Sequence, residues 1–167
     1  QGVGFGVDFQ WDIPLLEGYR WELLRNVARE PSLGTFGGCD TPEVGRVLRE
    51  WRPEVAILTG WQSRMLVQAW WACRRLGIPR SIRGESNHLA PRPAWKRLGH
   101  RMWLKGFDRF LAIGQANRAF YREAGIPAGR IHDCPYFIDN HRFATAAAEL
   151  RAQRENLRRA WDVPDDA

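Results

Sequence analysis

Two rhythms of apolar residues alternate along this chain: short apolar runs closed by glycine, and segments in which apolar residues recur every three or four positions. The first rhythm predicts strands and the second amphipathic helices. Val55 to Leu58 is a near-continuous apolar run followed by Gly60, which predicts a parallel strand covered on both faces. From about Gln62 to Leu76, one helical side carries Leu66, Ala69, Trp70, Cys73 and Leu76, and Gly77 with Pro79 beyond it stops the helix. Arg80 to Arg83 follows as a second strand, so residues 55 to 83 predict a right-handed βαβ unit. Phe107 to Gly114 predicts a third strand. Gln115 to Ala124 predicts a helix that buries Ala116, Phe120 and Ala124 and ends at Gly125-Ile126-Pro127. Arg130 to Tyr136 predicts a short last strand, and a polar helix over Arg142 to Trp161 closes the pattern.

Upstream the rhythm is weaker. Pro14 and Gly18 make residues 1 to 18 an irregular loop, and the glycines at 2, 4 and 6 lack the strand and helix that a dinucleotide-binding turn needs. Tyr19 to Asn26 alternates imperfectly and predicts a short strand, and residues 28 to 40 a flexible loop. Thr41-Pro42-Glu43 has the capping hydroxyl, first-turn proline and acid of a helix start, with Val44, Val47, Leu48 and Trp51 as its buried stripe and Pro53 as its stop. Residues 88 to 106 interleave Trp95, Leu98, Met102 and Leu104 with Lys96, Arg97, His100, Arg101 and Lys105. That pattern fits a helix packed on a sheet or one lying on a membrane surface.

Strands separated by helices give an α/β fold, a Rossmann-like, mostly parallel sheet flanked by helices. In such sheets ligands bind in the crevice outside the carboxyl ends of the strands. The loops there carry Gly60, Trp61 and Gln62 after one strand and Arg83, Gly84, Glu85, Ser86 and Asn87 after the next. Trp61 has a flat face suited to a sugar ring, or to plugging the loop. Arg83 is a forked donor for phosphate or carboxylate, and Asn87 both donates and accepts hydrogen bonds. Glu85 is suited to orienting a hydroxyl, or to pairing with Arg83. Asp139 and Asn140 are suited to shaping a turn, or to contacting substrate.

A formal charge of +6 fits a basic enzyme surface, and also attraction to phosphate-bearing ligands or an anionic membrane face. No zinc-finger spacing and no aromatic RNA-binding signature supports a nucleic-acid partner. Cys39, Cys73 and Cys134 lie far apart without a C-x-x-C pair, which points to a reducing compartment and to neither a disulfide framework nor structural zinc. No apolar run reaches the roughly 18 residues a bilayer-spanning helix needs, and no basic-then-apolar signal segment opens the chain. The expected setting is cytoplasmic.

The order of Gly60-Trp61, Gly77-Ile78-Pro79, Arg83-Gly84-Glu85, the basic helix, Asp108 to Gly114, Gly125-Ile126-Pro127, Arg130-Ile131, Pro135-Tyr136, Ile138-Asp139 and Arg142-Phe143 resembles the amino-terminal domain of GT-B glycosyltransferases of the retaining family 4, or group 1, type. Trp11 to Tyr19 resembles one subgroup, and the match covers nearly the whole chain. The resemblance implies two Rossmann-like domains facing across a cleft. Residues 1 to 143 would be part of the acceptor-binding domain, and residues 144 to 167 a helix and linker leading to a donor-binding domain outside this chain.

The implied donor is a nucleotide-diphosphate sugar and the implied acceptor a sugar or glycolipid, in cell-envelope or polysaccharide synthesis. No other cofactor or bound metal is implied for the chemistry. The family's basic pair and E-x7-E carboxylates would lie in the other domain, so residues 1 to 167 alone are expected to be inactive. Many relatives carry a histidine in the loop after the strand matching Arg80 to Arg83. Here that loop reads Arg83-Gly84-Glu85-Ser86-Asn87 and His88 comes late, which makes Glu85 the candidate catalytic residue. Gly60, Trp61, Gln62, Arg83, Gly84, Ser86 and Asn87 are the candidate acceptor-binding residues. The enzyme would lie in the cytoplasm, with possible peripheral contact at the inner membrane face. A non-catalytic α/β binding or regulatory module is the alternative.

Overall fold

A computed structural model of the chain describes residues 14–89 and 92–164. The expectations for residues 1 to 13, including the glycines at 2, 4 and 6 and most of the Trp11 to Tyr19 stretch, lie outside the described residues. The fold is α/β and Rossmann-like. Four strands, β1 (Ala56–Leu58), β2 (Arg80–Arg83), β3 (Arg109–Ala112) and β4 (Ile131–Asp133), form one all-parallel sheet in the order β1-β2-β3-β4. Helices α2 (Arg64–Leu76), α3 (Ala94–Leu104) and α4 (Gln115–Glu123) connect successive strands, and α1 (Val44–Trp51) packs on α2.

Every crossover steps one strand in the same direction, so crossovers of the usual right hand put α2, α3 and α4 on a single face. Burial follows that geometry. Leu58, Ile82, Phe110 and Ile131 are aligned across all four strands and are at most 6% exposed, a continuous apolar row under the helices. The neighbouring row on the opposite face is Ile57, Ser81 and Arg109. There Ile57, on the edge strand, is 56% exposed while Ser81 beside it is 6% exposed, so the expectation that Val55 to Leu58 is covered on both faces fails at Ile57, on the face turned away from the crossover helices.

The repeated Gly-Ile-Pro triplets have a common local cause. Gly77 and Gly125 adopt positive φ, +69° and +84°, where a side chain would be strained. Each lets the following isoleucine reach back across the helix end, Ile78 N–H to the Cys73 carbonyl at 2.9 Å and Ile126 N–H to the Tyr121 carbonyl at 3.1 Å. Both isoleucines are then buried, and the prolines beyond them cannot continue the helix.

Several expectations are corrected. Tyr19 to Asn26 forms no strand; it runs as irregular chain beside α1. Thr41 does not cap α1 with its hydroxyl, which is buried without a partner; the helix begins at Val44, with the Val44 N–H on the Thr41 carbonyl at 3.1 Å. On α4, Ala116 is exposed and the inward stripe starts at Asn117. On α3, Leu104 is buried, while Trp95, Leu98 and Met102 are exposed. The single helix expected over Arg142 to Trp161 is two, α5 (Asn140–Arg151) and α6 (Arg154–Ala160), parted at Ala152 and Gln153. Contacts divide the chain into two units, Gln1–Pro135 and Tyr136–Ala167. In the second unit the Asp139 carboxylate caps α5 by accepting from the Arg142 N–H at 3.0 Å, so the helix begins at Asn140, two residues before the expected Arg142.

The core of the first unit is largely aromatic. Trp70 packs on Trp103 at 4.8 Å between ring centroids, and Phe110 meets Tyr121 edge-on at 5.0 Å. Gly106 is where this packing leaves no room: its carbonyl accepts from Trp70 Nε1 at 3.2 Å, and a Cβ there would sit 2.4 Å from the indole Cζ2. Gly106→Ala is therefore expected to destabilise the fold by about 1–3 kcal/mol, the usual cost of overpacking. An unchanged urea unfolding midpoint in this variant would show that the indole can move aside.

Candidate functional site

The candidate site residues gather where the sheet geometry sends them. Because the strands are parallel and in register, the loops after β1, β2, β3 and β4 all leave from one edge of the sheet. Gly60 turns the chain at φ +127°, a conformation that favours glycine, and leads into Trp61 and Gln62. Gly84 comes alongside: a Cβ on it would lie 3.9 Å from Gly60 Cα and 3.8 Å from the Thr59 carbonyl oxygen. The first two loops are thus in near contact through their glycines.

Across the sheet, Arg83 donates to the Pro135 carbonyl at 3.3 Å, and the Cys134 N–H donates to the Ala112 carbonyl at 2.8 Å, tying the ends of β2, β3 and β4 together. Asn117, which sequence reasoning missed, joins two of these loops from below. Its Nδ2 donates to the Ser86 carbonyl at 2.7 Å and its Oδ1 accepts from the Ile113 N–H at 3.2 Å, with the residue only 3% exposed. A signal for it does exist. Asn117, Phe120, Tyr121 and Ala124 have the i, i+3, i+4, i+7 spacing of one helix face, but a stripe headed by a polar residue escapes a search for apolar ones.

The remaining site side chains divide between inward and outward. Trp61 is partly buried against the core and meets His100 of α3 edge-on, with centroids 5.4 Å apart. Gln62 is exposed at its backbone turn. Glu85 is exposed, and its carbonyl accepts from Asn87 Nδ2 at 3.1 Å. Asn87 Oδ1 accepts from the Leu89 N–H at 3.0 Å, so both ends of this amide close their own loop. The Asn87 carbonyl in turn accepts from Arg92. His88 points away from this edge toward α4, where its Nε2 meets a Glu123 carboxylate oxygen at 2.9 Å and its ring lies 4.9 Å from that of Phe120.

Two titrating groups beneath the loops are shifted by their surroundings. Burial pushes the Tyr121 phenol above its ordinary value. Burial, then the positive charges of Arg92 and Lys96, push the His100 imidazole below its ordinary value. Among the described residues no group of histidine, cysteine and acidic side chains is arranged to hold a metal ion. No helix of the described residues is long and apolar enough to cross a membrane.

With this geometry in view, the chain was compared with known proteins: no family model matches it, and neither does any curated protein or solved structure.

Two outcomes follow from the buried groups. Asn117→Ala leaves the Ser86 carbonyl and Ile113 N–H without their partner and is expected to cost about 1–3 kcal/mol. Amide exchange at Ile113 should quicken at the same time; protection there equal to the wild type would show that Asn117 does not hold the loop. For His100, the unfolded chain binds a proton more readily than the folded one. Its contribution to stability is full above about pH 6.5 and is lost as the pH falls from there through the lower folded value. Urea midpoints taken between about pH 7.5 and about pH 5.5 should therefore fall less in His100→Gln than in the wild type.

Proposed function

We propose that this chain is the acceptor-binding half of a retaining glycosyltransferase that uses a nucleotide-diphosphate sugar, acting in cell-envelope or polysaccharide glycan synthesis. The observation that supports this reading is the convergence of Gly60-Trp61 and Arg83 to Asn87 on one sheet edge, with Glu85 an exposed residue of the second loop. A retaining transfer of this kind depends on holding the acceptor hydroxyl in line with the departing diphosphate, so positioning and fixed charge do most of the work. In that scheme Glu85 accepts a hydrogen bond from the acceptor hydroxyl and sets its direction. Arg83, tethered to Pro135, places positive charge at the same edge. Gly60 and Gly84 let the first two loops lie against each other at this edge, and Trp61, Gln62, Ser86 and Asn87 would surround the acceptor there. The donor sugar would sit on a second domain across the cleft.

Exposed Trp95, Leu98 and Met102 among the cations of α3 support peripheral contact with an anionic membrane face, which suits a glycolipid acceptor in the cytoplasm. A second reading, a non-catalytic α/β binding module, is favoured by the self-contained Asn87 loop and by the packing of Trp61 on the core.

One experiment separates the two readings. Release of nucleoside diphosphate from UDP-glucose, UDP-N-acetylglucosamine or GDP-mannose is measured on the full-length protein with a membrane lipid extract as acceptor. The glycosyltransferase reading expects turnover with one donor, and a fall in kcat of about 10²-fold in Glu85→Gln. Turnover that Glu85→Gln leaves intact removes Glu85 from the mechanism, and no turnover with any of the three favours the binding module.

A further inference from the structure

Beside the strand-end loops, residues of α3, α4 and the segment before α3 line a cleft of about 300 Å³ whose walls include His88, Arg92, Arg97, His100, Arg101 and Phe120. That volume lies at the small end of ligand pockets, suited to a compact ligand. Its floor is apolar, with Phe120 only 3% exposed and Leu98, Ala94 and Ala124 around it. Its rim is strongly basic. The single carboxylate in the lining, Glu123, is already engaged by His88 Nε2 at 2.9 Å. Arg92 is spoken for as well, bonded to the Asn87 carbonyl and lying 5.9 Å from the centre of the Phe120 ring.

Arg97 and Arg101 differ from these. They stand one turn apart on the same face of α3, a like-charge pair that destabilises a helix unless an anion sits between. Neither side chain has a carboxylate or carbonyl partner among the described residues. Arg101 reaches over the cleft to the end of α4, so that a Cβ built on Gly125 would lie 3.2 Å from its guanidinium. Helix α3 carries no acidic residue at all, while Lys96 adds a third cation beside His100. The cleft is therefore concave, partly apolar and rimmed by two uncompensated guanidinium forks. Such forks match the oxygens of a phosphate group in pairs.

We propose that the α3–α4 cleft binds a phosphomonoester, with Arg97 and Arg101 gripping the phosphate oxygens and the carbon skeleton lying on Leu98 and Phe120. The ligand is small by volume, a short phosphorylated metabolite or the monoester headgroup of phosphatidic acid, whose tails would leave past Trp95 and Met102, both exposed on the same helix. This site is separate from the crevice at the strand ends and stands whether or not the chain serves sugar transfer. The two are neighbours: the His100 ring lines the cleft and also touches Trp61, so a bound phosphate would place its charge beside that shared ring.

The test uses two probes, glycerol 3-phosphate and phosphatidylcholine vesicles doped with phosphatidic acid, against the intact protein. Glycerol 3-phosphate binding is followed by the NMR shifts of the Arg97 and Arg101 side chains and the His100 ring, and vesicle binding by sedimentation. Arg97→Gln and Arg101→Gln are each expected to weaken binding about tenfold or more. Lys105→Gln, which removes a charge just beyond the end of α3 but outside the cleft, should leave binding within about twofold of the wild type. Binding of the free phosphate identifies a metabolite site; binding of doped vesicles alone, with the same arginine dependence, identifies a lipid headgroup site. The proposal is overturned if neither probe binds, or if Lys105→Gln weakens binding as much as Arg97→Gln, since the cleft would then be only part of a diffuse positive surface. Both arginine side chains are solvent-exposed, and the wild-type NMR shifts report the site without any variant.

Discussion

One row of four side chains sets everything else in the first unit. Leu58, Ile82, Phe110 and Ile131 lie in register across β1 to β4, and a slip of one residue in any strand would turn its apolar member out to the open face. That penalty locks the strands at a common level, so their carboxyl ends stop together and the following loops must meet. The closeness of Gly84 to Gly60, the Arg83 bond to Pro135 and the bridging role of Asn117 are consequences of register before they are features of a site. Strands of three or four residues have few ladder hydrogen bonds of their own, which is why the row must be supported from above. The support is aromatic. Trp70, Phe107, Phe110, Phe120 and Tyr121 fill the space between sheet and helices, and Gly106 is small because Trp70 occupies the room a side chain would need.

What could be read from the linear chain was what depends on near neighbours. The Gly-Ile-Pro triplets announce both helix ends because the cap involves only residues close together in the chain. Arg80 to Arg83 was legible as a strand for a related reason, being fenced by a proline before and a glycine after. The loops of the candidate crevice follow directly, since their positions are the ends of those strands.

Features that depend on distant partners were not legible. Tyr19 to Asn26 alternates as a strand does, yet its polar groups are met by side chains and not by a neighbouring ladder. The Arg25 N–H bonds to a Glu43 carboxylate oxygen at 2.6 Å, and the Asn26 amide donates to the Gly38 carbonyl at 2.8 Å. Glu22 takes the Trp51 indole N–H at 3.1 Å and Arg46 at 3.2 Å. Bonds of this kind pin the segment at a few points, and most of its residues are exposed to solvent, so it needs no sheet. Asp40 acts similarly in the next loop, its carboxyl held below the usual range by hydrogen bonds from Arg64 and then Gln68 of α2. The burial of Asn117 in place of Ala116 is in part another long-range effect: its Nδ2 meets the Ser86 carbonyl of a distant loop, while its Oδ1 accepts locally from the Ile113 N–H just ahead of α4.

The net positive charge also changes meaning once contacts are known. At the amino ends of the strands, Arg80 and Arg130 are spent on Asp108 and on the backbone around it, and at the carboxyl end of β4 Arg118 is spent on Asp133. Arg46 and Arg64 are likewise shared among Glu22, Glu50 and Asp40. These cations hold the fold, and the Arg80 Nε and Nη1, which find no hydrogen-bond partner, are buried out of a ligand's reach. On α3 the arrangement is different: three cations in eleven residues, no acid on the helix, and beside them an imidazole whose protonation burial and then positive neighbours disfavour. A protein gains nothing in stability from gathering like charges around a half-buried histidine, and the helix would be steadier with acids among them. The charge on α3 is therefore best understood as charge directed outward, toward an anion that the chain itself does not supply.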